Sequence, residues 1–423
     1  MTWLQAPVRR LFRVINGGTP TPDEANWGGG VAWATPIDLA RVDGRLITTT
    51  QRTLSERGLR TGSRAVKAAS LILSTRAPVG YVAQTAVPMA FNQGCRGLEP
   101  LMPLDVRFFG YQLSTMTQRL NTAAQGSTFV ELSSEAVASL LVFVPSLSEQ
   151  RAIADFLDAE TLRMDALIGK RQLALVQFDA RRQATYFAGV SGLLTAPDQP
   201  RVATTLPWLP AMPESWSTAL LKLLATLGSG HTPSRSHPEW WVAGDCVIPW
   251  ITTGEVAQIR SDRVEEITGT RERISAAGLD NSAAELHPAG TVVLSRTASV
   301  GFSAIMGTAM ATSQDFATWT CGPLLRPRFV LLCLRAMRPD LLGRLAIGST
   351  HKTIYMPDIE SIRVPVPPIA EQDQIVDAVH EQLAAIDHSA DMIGRQIRLL
   401  RERRQALITA AVTGEIDVRR GAA

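Results

Sequence analysis

The sequence predicts an α+β chain: two tandem domains of mixed short strands and helices, joined by two long helices packed as an antiparallel coiled coil, in a pseudo-twofold repeat. Three observations predict it. A block of sequence recurs at a fixed offset, that block carries a seven-residue apolar period, and the segments in front of it show only short apolar runs bounded by Gly, Pro, Asn and Asp.

The repeat comes first. Gly126-Ser127-Thr128 returns as Gly348-Ser349-Thr350, and the offset of 222 then holds for over sixty residues. Val144-Pro145 becomes Val366-Pro367, Glu149-Gln150 becomes Glu371-Gln372, Asp165 becomes Asp387, and Arg181-Arg182-Gln183-Ala184 becomes Arg403-Arg404-Gln405-Ala406. Upstream the offset drifts, from 213 at Thr19-Pro20 and Thr232-Pro233, to 217 at Trp33 and Trp250, to 221 at Leu73-Ser74 and Leu294-Ser295. Each half has a divergent front and a similar back. The divergent part is the one able to specify something different in each copy.

The backs read as helices. Val379, Ile386, Ile393, Leu400 and Leu407 recur every seven residues, with Leu383, Ala390, Ile397 and Ala411 on the companion row. The first copy has a rougher seam in Leu157, Met164, Arg171 and Phe178 with Ile168 and Leu175. Ser146 and Glu149 form a capping-box pattern at its start, and Gly189 and Gly192 are placed to end it. Arg182 and Arg404 fall on the seam, where their stems are expected to snorkel. A lone heptad helix leaves its stripe without a partner, so the two helices are expected to supply each other. Prolines 197, 200, 207, 210 and 213 predict an extended linker between the halves. The expected boundaries are 1–145 and 217–367 for the front domains, 146–192 and 368–415 for the helices, 193–216 for the linker and 416–423 for a tail.

The fronts contribute candidate strands at Val31–Trp33, Leu71–Ser74 and Gly80–Val82, with counterparts at Val247–Ile251, Thr291–Ser295 and Gly301–Ile305. Short helices at Val106–Leu120 and Pro327–Met337 are expected to pack on that sheet. Trp33 and Trp250 read as core, and Gly80 and Gly301 as backbone requirements.

Composition narrows the function. No apolar run approaches the ~20 residues of a membrane span, and Met1 to Arg10 lacks a signal-peptide core, which predicts a soluble, cytoplasmic protein. Cys95, Cys246, Cys321 and Cys333 are scattered, which argues against a zinc site and for buried free thiols. The six histidines show no metal-ligand spacing, and the chain has no P-loop, no glycine-rich loop after a strand and no Asn-Pro-Pro-Tyr segment. The net charge of +3 is uninformative until divided: residues 1–147 carry 14 Lys and Arg against 9 Asp and Glu, and 148–200 carry 6 against 7. Residues 201–370 carry 15 against 14, and 371–423 carry 7 against 9, so basic excess belongs to the fronts.

Gly-Ser-Thr, a strand ending in Val-Pro, Glu-Gln opening a long helix, and the tail from Arg404 to Val418 together resemble the specificity subunits of type I restriction-modification systems. So does Leu206-Pro207-Trp208 followed by Pro213-Glu214-Ser215-Trp216. One departure is that the first domain begins almost at Met1, without a leader of that kind. The resemblance implies two target-recognition domains, each reading half of a bipartite double-stranded DNA site, and a helical spacer that fixes the gap. It implies a non-catalytic chain clasped by two methyltransferase subunits, joined by restriction subunits, in a phage-defence system. S-adenosylmethionine and ATP then belong to the partners, with no cofactor or metal here. Because the fronts differ, the site should be asymmetric, with adenine methylation directed to it.

A base-reading surface needs donors and acceptors in fixed patterns beside groups that grip phosphate. Thr75-Arg76 and Arg296-Thr297 follow matching strands, and Arg76 and Arg296 are the leading DNA contacts, equally consistent with surface ion pairs. Gln93 and Gln314 either read adenine or hold backbone. Ser127, Thr128, Ser349 and Thr350, with Lys352 beside them, suit phosphate. For the partner subunits the candidates are Arg163, Arg398 and Arg401 on outer helix faces and Arg171 where the seam is rough, with plain solvated charge as the other reading. Two rival functions stay open: a coiled-coil scaffold, and a self-contained restriction nuclease or methyltransferase.

Overall fold

A computed structural model describes residues 3–42, 44–123, 131–348 and 352–418. The chain forms two compact units that cut across its linear order: Met1–Gln172 with Gly394–Ala423, and Leu173–Ile393. Each holds one front domain, the start of the helix that follows it and the end of the other long helix.

In the first unit, a five-stranded sheet runs in the order Phe12–Asn16, Cys95–Pro100, Leu71–Ser74, Val82–Thr85, Leu46–Ile47. Alternation along Leu71–Ser74 divides the core. Leu71 and Leu73 pack with Phe108, Phe109 and Leu113 of the helix Val106–Ser114, while Ile72 faces the other way onto Val66, Met89 and Phe91. Met89–Phe91 belongs to a second sheet, ordered Arg52–Leu54, Trp27–Ala34, Met89–Phe91, Ala65–Val66.

The second unit repeats this plan. Its five-stranded sheet runs Ala225–Ser229, Phe316–Cys321, Val292–Ser295, Ser303–Met306, Glu266–Ile267, with a smaller sheet of Arg273–Ile274, Ile248–Ile251 and Ala311–Thr312. Val292 and Leu294 face the helix Pro327–Ala336, and Val293 faces Ile251, Met306 and Phe316.

The long helices span Leu147–Val190 and Ile369–Thr413. Within each unit the two helix segments run antiparallel. In the first unit Ile153, Ala154 and Leu157 share a core with Ile408, Ala411 and Val412, while Asp165, further along, meets Arg404. In the second unit Gly189 lies against Val379 and Ile375, and Arg182 meets Asp387. The capping box forms as read: the Ser146 amide donates to Glu149 Oε2 at 2.9 Å, and the Glu149 amide donates to Ser146 Oγ at 3.3 Å.

The Glu-Gln pair gains a structural reason. Gln150 accepts from the Asp105 amide at 2.9 Å and donates to the Pro145 carbonyl at 2.9 Å. Gln372 accepts from the Arg326 amide at 2.8 Å and donates to the Pro367 carbonyl at 2.9 Å. Each buried glutamine thus ties the cap of a domain helix to the start of a long helix. Burial without those partners would cost about 1 to 3 kcal/mol per group.

Several expectations are corrected. The proline-rich segment folds back as a hairpin of Arg201–Leu206 and Leu209–Pro213, because Leu206, Leu209 and Met212 are buried in the second core. Gly189 does not end its helix, which closes at Val190 with Gly192 at φ 76°, as Gly414 at φ 78° follows Thr413. Cys246 and Cys321 are half-buried rather than buried; Cys95 is enclosed, and burial pushes its thiol up to about 12. Trp33, Trp250, Gly80 and Gly301 behave as read, the tryptophans buried and the glycines at φ 99° and 90°.

Candidate nucleic-acid interface

Adjacent backbone contacts gather most of the predicted residues onto one edge of each front domain. In the first, the Arg76 amide donates to the Gly94 carbonyl at 3.2 Å, beside Gln93. Gln93 accepts from the Thr19 hydroxyl, and the neighbouring Gly18 carbonyl accepts from Trp33 Nε1 at 3.0 Å. In the second, the Arg296 amide donates to the Asp315 carbonyl at 2.8 Å, and Gln314 accepts from the Thr232 hydroxyl at 2.8 Å. The duplicated Thr-Pro and the duplicated glutamine are thus one device, which fixes the acceptor oxygen and leaves the amide donors outward.

The side chains then diverge. Arg76 is exposed, with Nε 3.0 Å from Glu131. Arg296 is half-buried and turned to the Ile354 carbonyl, 3.4 Å from Nη1. Thr297 is half-buried and bridges to Thr353, while Lys352 is exposed with Nζ 3.3 Å from the Leu342 carbonyl. Thr75 is corrected: it is fully buried and donates to the Gly94 carbonyl at 3.2 Å, because the strand pairing continues through it, so it cannot touch DNA. Ser127, Thr128, Ser349 and Thr350 lie outside the described residues. On the helices Arg163 is exposed and paired with Glu160 at 2.6 Å, Arg398 and Arg401 are exposed, and Arg171 is half-buried.

Two features escaped the sequence reading. The seam arginines do more than snorkel. Asp165 lies 3.4 Å from Arg404 and 3.5 Å from Arg45, a residue of the first front domain. Asp387 pairs with Arg182 and lies 3.2 Å from Arg263 of the second front domain. All three members recur, so each aspartate ties both helices to the front domain beside them. Burial alone would weaken the charge of Arg182, but hydrogen bonds to Asp387 and Tyr186 raise its pKa on balance. The second feature is local charge. Residues 41–76 hold eight Lys and Arg against two Asp and Glu, whereas 258–297 hold five against six.

A family model described as Type I restriction modification DNA specificity domain matches residues 3–175 and again 213–390. The chain belongs to this family. Among relatives of this specificity family, the chain is 31% identical over 159 residues to the type I restriction enzyme MjaIX specificity subunit of Methanocaldococcus jannaschii, 37% of each chain. It is 22% identical over 317 residues to the EcoBI specificity subunit of Escherichia coli, 73% of this chain and 65% of that one. The matches therefore span less than two thirds of either relative. A structure titled "Structural basis underlying complex assembly and conformational transition of the type I R-M system" shares the fold at TM-score 0.72 and 15% identity, over 98% of both chains. The HsdS subunit of Thermoanaerobacter tengcongensis aligns at TM-score 0.50 and 17% identity, over 98% of this chain and 97% of that one.

Proposed function

We propose that this specificity-family chain reads an asymmetric bipartite site in double-stranded DNA and carries no catalytic centre of its own. Two methyltransferase subunits and, in the full assembly, restriction subunits act where it directs them, and they hold the S-adenosylmethionine and ATP. The observation that carries this reading is the contrast within each unit. The anchors Asp165 and Asp387, with their arginines, recur, while the edges differ, Arg76 exposed against Glu131 and Arg296 half-buried against the Ile354 carbonyl. A scaffold needs the first property and has no use for the second.

Arg76, Gln93, Arg296, Thr297, Gln314 and Lys352 remain the proposed DNA contacts of the edge, and Arg163, Arg171, Arg398 and Arg401 the proposed partner contacts. No helix among the described residues is long and apolar enough to cross a membrane, which suits action on DNA in the cytoplasm. Arg296→Ala is expected to weaken binding by about 1 to 3 kcal/mol and to relax one base position. The reading is tested by gel shift of the purified chain with and without a methyltransferase subunit, together with mapping of methylated adenines. A two-part motif with a fixed gap is expected. Binding to the partner but never to DNA would leave a scaffold instead, and methyl transfer by the isolated chain would make it an enzyme.

A further inference from the structure

The rim of the smaller sheet holds a place where the two copies share a framework of contacts and differ in the outward residues it carries. In the first unit Trp27 meets Trp33 edge to face, 5.0 Å between centroids, and Trp27 Nε1 donates to the Thr21 carbonyl at 3.0 Å. In the second unit Trp241 meets Trp250 at 5.8 Å, and Trp241 Nε1 donates to the Ser234 carbonyl at 3.1 Å. The Trp33 amide donates to Thr50 Oγ1 at 3.0 Å, which donates to the Arg52 carbonyl at 2.7 Å. The Trp250 amide donates to Thr270 Oγ1 at 3.1 Å, which donates to the Glu272 carbonyl at 2.6 Å. These contacts equate Trp27 with Trp241, Thr50 with Thr270, and Arg52 with Glu272.

Both units also place a guanidinium over the outer indole, 3.6 Å from the Trp27 centroid and 3.7 Å from that of Trp241. The source differs. In the first it is Arg52 itself, exposed, with no carboxylate partner among the described residues. In the second it is Arg235, held by Glu272 at 2.8 Å. The same backbone position therefore presents a fork of N–H donors in one copy and a carboxylate acceptor in the other. Stacking on an indole holds such a group in one orientation before any ligand arrives, so less freedom is lost on contact. A paired donor fork matches the O6 and N7 edge of guanine, and a carboxylate oxygen matches the N4 amine of cytosine.

We propose that positions 52 and 272 are equivalent specificity determinants, Arg52 reading a guanine in one half-site and Glu272, braced by Arg235, reading a cytosine in the other. The assignment rests on the DNA-reading function proposed above and names its base chemistry. The test uses the full chain assembled with its methyltransferase subunits, and maps methylated adenines for the wild type, Arg52→Ala, Arg52→Lys and Glu272→Ala. Arg52→Ala should lower discrimination at one guanine by roughly tenfold or more and leave the other half-site unchanged, with Glu272→Ala doing the converse at a cytosine. Arg52→Lys keeps the charge but loses the fork, so it should fail to restore the guanine. A loss equal for all sequences and restored by lysine would reduce Arg52 to a phosphate grip and overturn the assignment, as would an unaltered motif. Absence of any two-part motif in the wild type would instead overturn the DNA-reading function. Far-ultraviolet circular dichroism and thermal unfolding confirm that each variant is folded; both sites lie on exposed rims and should leave them unchanged.

Discussion

The two units share a scaffold but hold it together differently. Where the first has Ser114 and Thr117, the second has Arg335 and Arg338, and it sets Asp262 in the connection that carries Gly44 in the first. Asp262 accepts from the two terminal nitrogens of Arg338, Nη1 and Nη2, at 2.6 Å, and fully buried Arg335 lies between Asp262 at 3.7 Å and Glu265 at 3.4 Å. Gly44 adopts φ 81° in the first unit, and Asp262 adopts φ 58° in the corresponding connection between helix and strand of the second, a left-handed conformation that costs a non-glycine residue about 1 kcal/mol or more. The second copy thus accepts backbone strain to bring a carboxylate to two arginines. A duplicated fold can replace small neutral residues by an ionic network, provided every charge it buries is paired.

That comparison can be broken by moving residues from one copy to the other. Asp262→Gly relieves the strain but leaves Arg335 buried without one partner, and should cost the second unit about 3 kcal/mol in urea unfolding. An unchanged midpoint would show that Glu265 alone suffices. Gly189→Ala installs the residue of Ala411, but an added Cβ would stand 2.3 Å from Val379 Cγ2. Overpacking there should cost about 1 to 3 kcal/mol, and Val379→Ala in the same chain should recover part of it. Asp165→Ala and Asp387→Ala each remove the centre of a half-buried triad and should cost about 1 kcal/mol, with a double-mutant cycle against Arg45 or Arg263 giving the coupling. A cycle that closes to zero would make those contacts incidental.

The smallest effect concerns pH. Buried His287 stands where the first copy has Val66, each backbone pairing with the matching methionine, Met310 or Met89. Burial lowers the pKa of His287 below its ordinary 6.5, more than the hydrogen bond with the Ser229 carbonyl raises it. The unfolded chain therefore binds the proton first, so stability is full above pH 6.5 and declines as pH falls from there through the folded-state value. His287→Val should flatten the unfolding midpoint of the second unit over that window. Glu265 acts lower: burial pushes its carboxyl up, but His380 and the Arg335 and Arg328 cations bring it below its ordinary value of 4.5. Its contribution is kept above about 4.5 and lost as pH falls through the depressed folded value.

The sequence made the repeat, the helices and the matching strands at Leu71–Ser74 and Thr291–Ser295 legible, because fixed spacing and period survive duplication. It showed that Asp165 and Arg404 recur, but their contact crosses between helices and has no sequence spacing. The Trp27 and Trp241 correspondence was hidden because the offset slides from 213 to 220 between Thr21 and Thr50 as loop lengths change. Thr75 misled for a different reason. A polar residue after a strand reads as exposed, yet its hydroxyl finds the Gly94 carbonyl and stays inside.

The division of the chain has a consequence for the order of its birth. The second unit is continuous, from Leu173 to Ile393, whereas the first needs the segment from Gly394 onward to cover Leu157 and Ile153 with Ile408, Ala411 and Val412. Synthesis runs from the N-terminus, and domains ordinarily complete in that direction. Here the domain made first must wait, its apolar helix face open, until the domain made second has already left the ribosome.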